Sequence, residues 1–403
     1  MAHERTDHPV DRLLAGGPLS RRALLRRMGA AGLTLAGSGA LLSACGEVQG
    51  TGGDTGGSSQ APAKVNHPKT AIGTLVFANW PLYIDKKVLK TFDRREHADV
   101  QYREEINDND EFFAKVRQEL EAGRPIDRDL VVLTDWMARR WIDQGFLDPI
   151  DKDNVPNARN LVSALQSPPF DPKRSYTLPW QSGMTAIGYN PKRTGGRLQG
   201  VDDLFDPRLK GRVSMLTDWR DSASLVLLSQ GKAPEKATKD DYLGAIDVID
   251  QQNRKGQIRR FTGNDYTADL ANGNLWASVA YSGDIIQLQA DNPDLQFLIP
   301  EQGAMLWSDN MMIPKGAKQP YGAETMMNFV YDPEIAARIT AYVNYVSPVK
   351  GVKEVIRRTD RKLADNELVF PSDATLKRLH PYPSVSAADE RDITAAMQTV
   401  TGA

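Results

Sequence analysis

Residues 74–102 read TLVFANWPLYIDKKVLKTFDRREHADVQY, and the fold follows from how this stretch alternates. Thr74–Ala78 is a short apolar run of strand length. Asp85 is placed to cap a helix whose apolar positions, Val88, Leu89 and Phe92, fall on one face. Val100–Tyr102 returns to strand character. The same alternation continues downstream. Phe112, Phe113, Val116 and Leu120 make a second helical face, closed by Gly123. Leu130–Leu133 is a buried strand, and Trp136–Gln144 a helix closed by Gly145. Strand, helix, strand, helix, strand implies parallel pairing with crossover helices. Ligands of such sheets bind beyond the carboxyl ends of the strands.

The strand mouths carry a repeated chemistry. Asn79-Trp80-Pro81-Leu82-Tyr83 follows the first strand, and Thr134-Asp135-Trp136 the third. Arg212–Leu216 reads as a further strand followed by Thr217-Asp218-Trp219-Arg220-Asp221-Ser222. Trp276–Ala280 reads as another, followed by Tyr281-Ser282-Gly283-Asp284. One tryptophan at such a place is more often core than ligand cage. Rings and aspartates at four mouths are what a cleft for a cation needs.

The run Met305–Pro314, MLWSDNMMIP, puts Trp307 and Asp309 two residues apart. In an extended segment both lie on one face. A buried carboxylate demands a cation or strong hydrogen bonds, and an ammonium satisfies both the carboxylate and the ring. The plainer alternative is a core strand with one surface or hinge aspartate. Met184–Asn190 reads as a strand carrying the chain from one lobe to another, with Trp307–Pro314 as the return crossing. Asp332-Pro333-Glu334 opens a helix, with Asp332 as cap, that leads to Tyr345.

Composition narrows the function classes. The 403 residues carry a net charge of −2, with 40% hydrophobic and 25% charged residues. That suits a globular body of two ordinary domains. The first 44 residues hold six arginines and three acidic residues, which leaves the remainder at −5. Nucleic acid is disfavoured as a partner, because phosphate binding needs a basic surface. Cys45 is the single cysteine, so no intramolecular disulfide forms. Of five histidines, His3, His8 and His67 precede the expected body, leaving His97 and His380 for any triad or metal site. No nucleophile elbow, HExxH or Cys/His cluster is present. Asp218 and Asp221 as a glycosidase pair is the enzyme alternative, weaker than their reading as a helix start.

The N-terminal segment carries its own signals. Ser20-Arg21-Arg22-Ala23-Leu24-Leu25-Arg26 has the order of a twin-arginine export signal. An apolar stretch, Met28–Ala44, follows and ends in Leu42-Ser43-Ala44-Cys45. At 17 residues of modest hydrophobicity it suits a signal h-region better than a permanent span. Small residues before a cysteine resemble a lipoprotein signal, with Cys45 lipidated. Gly46–His67 is Gly/Ser/Thr/Pro-rich and reads as a flexible tether.

The order of motifs resembles the polyamine-binding receptors (spermidine/putrescine type) of bacterial ABC importers. The pieces that carry the resemblance are FANWPLY (77–83), DLVVLTDW (129–136), FDPKRSYTLPW (170–180), TAIGYN (185–190), the segment 211–222, YSGD (281–284), LWSDNMMIP (306–314) and NYVSP (344–348). The resemblance implies an α/β, two-lobed periplasmic-binding-protein type II fold with a hinged interlobe cleft. The expected organisation is a signal at 1–44 and a lipidated tether at 45–70. Lobe 1 spans 71–183, lobe 2 spans 184–307, and 308–345 returns to lobe 1. Residues 346–403 are expected to pack mainly on lobe 2.

Residue by residue, the resemblance puts Trp80, Tyr83, Thr134, Trp136, Tyr281, Trp307 and Tyr345 in the cage, with Asp284 and Asp309 as ammonium contacts. The spermidine-type pattern has two acidic residues three apart after the second lobe's Thr-Asp pair. Here those positions are Trp219 and Ser222, and Asp218 and Asp221 are each displaced by one residue. Asp135 is a further carboxylate for the far end of the ligand. The implied protein is a monomeric, non-enzymatic polyamine receptor on the outer face of the cytoplasmic membrane. It has no cofactor or metal, and its partner is an ABC permease. The same fold holding another small cation, such as a quaternary amine, is the alternative.

Overall fold

The computed structural model describes residues 65–402. The expected signal and the lipidation site at Cys45 lie outside the described residues. Residues ahead of the expected boundary at 71 already contact the body. His67 is tied to the body through its backbone N–H to Asp151 and its ring to the buried Glu324 at 2.6 Å. A carboxylate without solvent needs such partners, and Asn154 supplies another. The last residues of the expected tether therefore belong to the folded body.

The described residues form eleven strands, eight of them on one path through two hydrophobic cores and three paired at its side. They are β1 (Thr74–Asn79), β2 (Asp99–Glu104), β3 (Leu130–Thr134), β4 (Leu147–Asp148), β5 (Thr177–Tyr189), β6 (Val213–Leu216), β7 (Ile258–Thr262), β8 (Ala277–Tyr281), β9 (Gln296–Leu298), β10 (Ala304–Pro314) and β11 (Leu379–Pro381). The helices used below are α1 (Lys86–Glu96), α2 (Asn109–Glu121), α3 (Asp135–Asp143), α4 (Trp219–Ser229), α5 (Lys239–Arg254), α6 (Ser282–Gln289), α7 (Pro333–Val343) and α8 (Ala387–Thr401). The main strand order is β2-β1-β3-β10-β5-β8-β6-β7, with β4, β9 and β11 paired at its side.

The parallel trio β2-β1-β3 supports the first lobe, and the parallel β8-β6-β7 trio the second. Between them run β5 and β10, antiparallel to each other and each long enough to serve both lobes. The first part of β5, with Leu178 and Trp180, lies in the first core; its end, with Ile187 and Tyr189, lies in the second. β10 does the reverse, with Met305 in the second core and Met311–Ile313 in the first. All thirteen residues of β5 are buried, as a strand covered on both faces requires. The ladder between the two strands shifts register between Ser308 and Asn310. A bulge at this place bends the crossing and re-aims its side chains.

Local signals account for the helices. Asp85, Asp108, Asp218 and Asp332 each accept backbone N–H bonds at the starts of α1, α2, α4 and α7. Asp108 and Asp218 follow β2 and β6 within a few residues, which sets the N-termini of α2 and α4 beside the cleft.

The C-terminal segment corrects the expected organisation. Residues 346–403 do not pack mainly on the second lobe. Val349, Val352, Ile356, Leu363 and Val369 lie in the first core, and only Ile393 and Met397 of α8 lie in the second. Tyr382, between these parts, packs against both cores. The short apolar spacings at 349–369 match the face left open on α7, while α8 covers α4 and α5.

Candidate functional site

A cavity lies where the two lobes meet. Ten of the twelve ligand-binding positions expected from sequence line it: Trp80, Tyr83, Thr134, Asp218, Asp221, Tyr281, Asp284, Trp307, Asp309 and Tyr345. Two do not. Asp135 turns to the Asn310 amide at 2.6 Å. Trp136 lies against two guanidinium groups, with Arg220 3.6 Å and Arg140 5.0 Å from its ring centre. Both are drawn away by partners within the protein.

Asp309 sits on β10 opposite Thr134 of β3. That register brings the Thr134 hydroxyl to 2.8 Å from one carboxylate oxygen, and Tyr83 donates to the other at 2.8 Å. Burial pushes the Asp309 carboxyl up to about 7, against the pull of these two hydroxyls. Asp284, in the first turn of α6, accepts from Asn264 and Tyr266 at 2.7 Å each and from Tyr345 at 2.8 Å. Burial raises it too.

Asp221 accepts from Tyr382 at 2.6 Å and Tyr281 at 3.3 Å. Burial, then the neighbouring Asp218, lift it to about 7. Asp218, also lifted to about 6 by burial, caps α4 and has Arg220 Nη1 at 3.2 Å.

Four rings join these carboxylates. Tyr345 is 5.3 Å from Tyr83 and 5.4 Å from Trp307, and Trp307 is 5.4 Å from Tyr281, centre to centre. Trp307 is fixed by its indole N–H to Thr185 and Trp80 by its own to the Val132 carbonyl, both at 3.1 Å. Gly183 and Gly283 make room for the cage. A Cβ at Gly183 would press into the Trp307 ring and lie 2.8 Å from Tyr345; one at Gly283 would lie 2.5 Å from Tyr345.

The residues lining the cavity include five aspartates and no Lys, Arg or His. Every carboxylate is held by hydroxyl, amide or backbone donors, and Asp218 alone has a cation beside it. Such a site is pre-set to accept positive charge and apolar length together. Among the described residues, no group of three or more His, Cys, Asp or Glu is arranged to hold a metal ion. Nor is any helix there long and apolar enough to cross a membrane.

Sequence reasoning missed Asn107, Asp108, Asn109, Thr217, Asn264 and Tyr382. Four of them close the cleft: Thr217 donates to Asp108 at 2.7 Å, and the Asn264 N–H meets the Asn107 carbonyl at 3.1 Å. Gly263 permits the second contact, since a Cβ there would lie 2.7 Å from the Asn107 amide nitrogen. The strand-mouth rule would have found Asn107 after β2 and Asn264 after β7. Tyr382 had no such signal, because it arrives from the irregular C-terminal segment.

Two lobes joined by crossing strands, with an acidic and aromatic cavity between them, define a substrate-binding receptor of the periplasmic-binding-protein type II fold. The chain belongs to the bacterial extracellular solute-binding protein family, whose model matches residues 87–371. It is 28% identical over 337 residues to the putrescine/cadaverine-binding protein of Pseudomonas aeruginosa, covering 80% of this chain and 92% of that one. Identity to the spermidine/putrescine-binding periplasmic protein of Escherichia coli is 23% over 316 residues, covering 78% and 88%. A Listeria monocytogenes structure assigned to a spermidine/putrescine ABC transporter superposes with a TM-score of 0.73 at 25% identity, covering 81% of this chain and 98% of that one.

Proposed function

We propose that this protein captures a polyamine in the interlobe cavity and delivers it to the permease of an ABC importer. One observation carries the reading. Asp309 and Asp284 flank a continuous cluster of Tyr83, Tyr345, Trp307 and Tyr281, in a cavity lined by no cationic side chain. Carboxylates fix ammonium groups, while the rings cover methylenes and attract the charged ends. The curated names of the relatives support the same ligand class.

In this reading the protein binds without chemistry. The two lobes close about the β5 and β10 crossings. Cys45 is the lipid attachment point after twin-arginine export, and the body acts as a tethered monomer outside the cytoplasmic membrane.

Isothermal titration of the body from residue 65 onward with putrescine and spermidine tests the ligand class. Saturable heat with at least one of them is expected. The absence of both heat and thermal stabilisation with either would overturn the proposal. Mass spectrometry of the membrane-extracted protein checks the anchor, with a diacylglyceryl-modified Cys45 as the mature N-terminus.

A further inference from the structure

The ring and carboxylate at the α4 end of the site already hold a positive charge, supplied by the protein. Arg220 is 2% exposed and lies in the first turn of α4. Its guanidinium sits 3.6 Å from the centre of the Trp136 ring, which comes from the first lobe, and 4.3 Å from Trp219. Its Nη1 reaches Asp218 at 3.2 Å, and its Nη2 pairs with Glu390 of α8. Arg220 itself does not line the cavity, but Asp218 does, and so does Asp221 one position further along the helix. Asp221 is in turn held by Tyr382, which reaches in from the C-terminal segment.

An aromatic face beside a carboxylate is the arrangement that seats an alkylammonium. Here the guanidinium occupies that arrangement. We propose that Arg220 stands in for a third ligand cation, so that the receptor prefers diamines to triamines. The inference rests on the polyamine reading and deepens it. Asp309 and Asp284 share the aromatic cluster, carry no cation of the protein, and serve the two ends of a diamine. A third ammonium directed toward Asp221 meets a site whose neighbouring carboxylate is already neutralised by a fixed, like-charged guanidinium. Repulsion in a buried setting is weakly screened, and the displaced group cannot leave, because Trp136, Trp219 and Glu390 hold it.

Arg220 is a positioning and specificity residue, and the readout is therefore a ratio of affinities. Titration of the wild-type body with putrescine, cadaverine and spermidine should show a diamine bound at least tenfold more tightly than spermidine. Arg220→Met should narrow that ratio at least tenfold, mainly by gaining spermidine. Trp136→Leu, which loosens the guanidinium's seat and keeps the charge, should narrow it less; it serves as the second variant if Arg220→Met does not fold by circular dichroism. Wild-type protein that binds spermidine as tightly as a diamine overturns the role of Arg220 and leaves the polyamine reading intact. An unchanged ratio in a folded Arg220→Met protein overturns it as well. No binding of any of the three amines overturns the polyamine reading itself, and this inference with it.

Discussion

Replacing Asp309 with asparagine should weaken the ligand and strengthen the ligand-free protein at the same time. Asp309 is 4% exposed and its carboxyl is pushed up to about 7 from a usual value of 3.8. A raised folded value means that the native state favours the neutral acid. The stabilising contribution of that proton is complete below about pH 4 and is lost as pH rises through about 7. Three units at 1.36 kcal/mol each set a ceiling of about 4 kcal/mol on the destabilisation by the buried anion at alkaline pH.

Asparagine has the shape of the protonated acid and cannot ionise. Its amide must accept one hydroxyl and donate to the other, where Tyr83 and Thr134 both donate now. Imperfect hydrogen bonds cost about 1–2 kcal/mol. A net gain of about 2 kcal/mol at pH 8 remains, or roughly 4 °C in Tm for a body of this size. At pH 5 the shift should be near zero. Removing one partner of a buried charge pair costs about 2–5 kcal/mol in binding, so putrescine affinity should fall at least roughly thirtyfold. Differential scanning fluorimetry at both pH values and titration calorimetry measure these quantities. A Tm that drops equally at pH 5 and pH 8, or putrescine affinity within threefold of wild type, would refute the reasoning.

Three further outcomes are expected. Because Asp309 is raised to about 7 and contacts an ammonium in this reading, amine affinity should fall below pH 7 by up to about tenfold per unit as that carboxylate must shed a proton; titrations from pH 5.5 to 8 check this, and a flat profile contradicts it. Gly183→Ala forces a methyl group into Trp307 and Tyr345, and overpacking by about 1–3 kcal/mol should lower both Tm and ligand affinity; wild-type values for both would show that the cage is looser than drawn. Glu390 accepts from Arg140 of the first lobe at 3.0 Å and also from Arg220 of the second, so Glu390→Gln should raise the ligand off-rate several-fold in stopped-flow tryptophan fluorescence, and an unchanged off-rate would remove it from lobe closure.

The strand mouths were legible because two local rules act together. A parallel strand ends in a loop beside the cleft, and Asp or Asn there starts the next helix. Trp80, Tyr83, Thr134, Asp218 and Tyr281 all follow from that logic. Trp307 and Asp309 were legible for a different reason, the two-residue period of a strand. Trp136 and Asp135 obey the first rule and still miss the cavity. Their partners, Arg220 and Asn310, lie 84 and 175 residues away in sequence, and no local pattern reports which cation or amide a ring or carboxylate will meet. Tyr382 fails in the opposite sense: nothing around it in sequence marks a binding residue, and its place depends on how the C-terminal segment divides between two cores. The same division explains why packing of 346–403 could not be read from its apolar spacing, since both lobes offer a complementary face.

A crystal structure of the protein grown with putrescine tests the account most directly. The account predicts one ammonium within about 3 Å of an Asp309 oxygen, the other equally near Asp284, and the four methylenes covered by Trp307 and the neighbouring tyrosines. A diamine bound outside the interlobe cavity, or inside it with neither carboxylate in contact, would contradict the account.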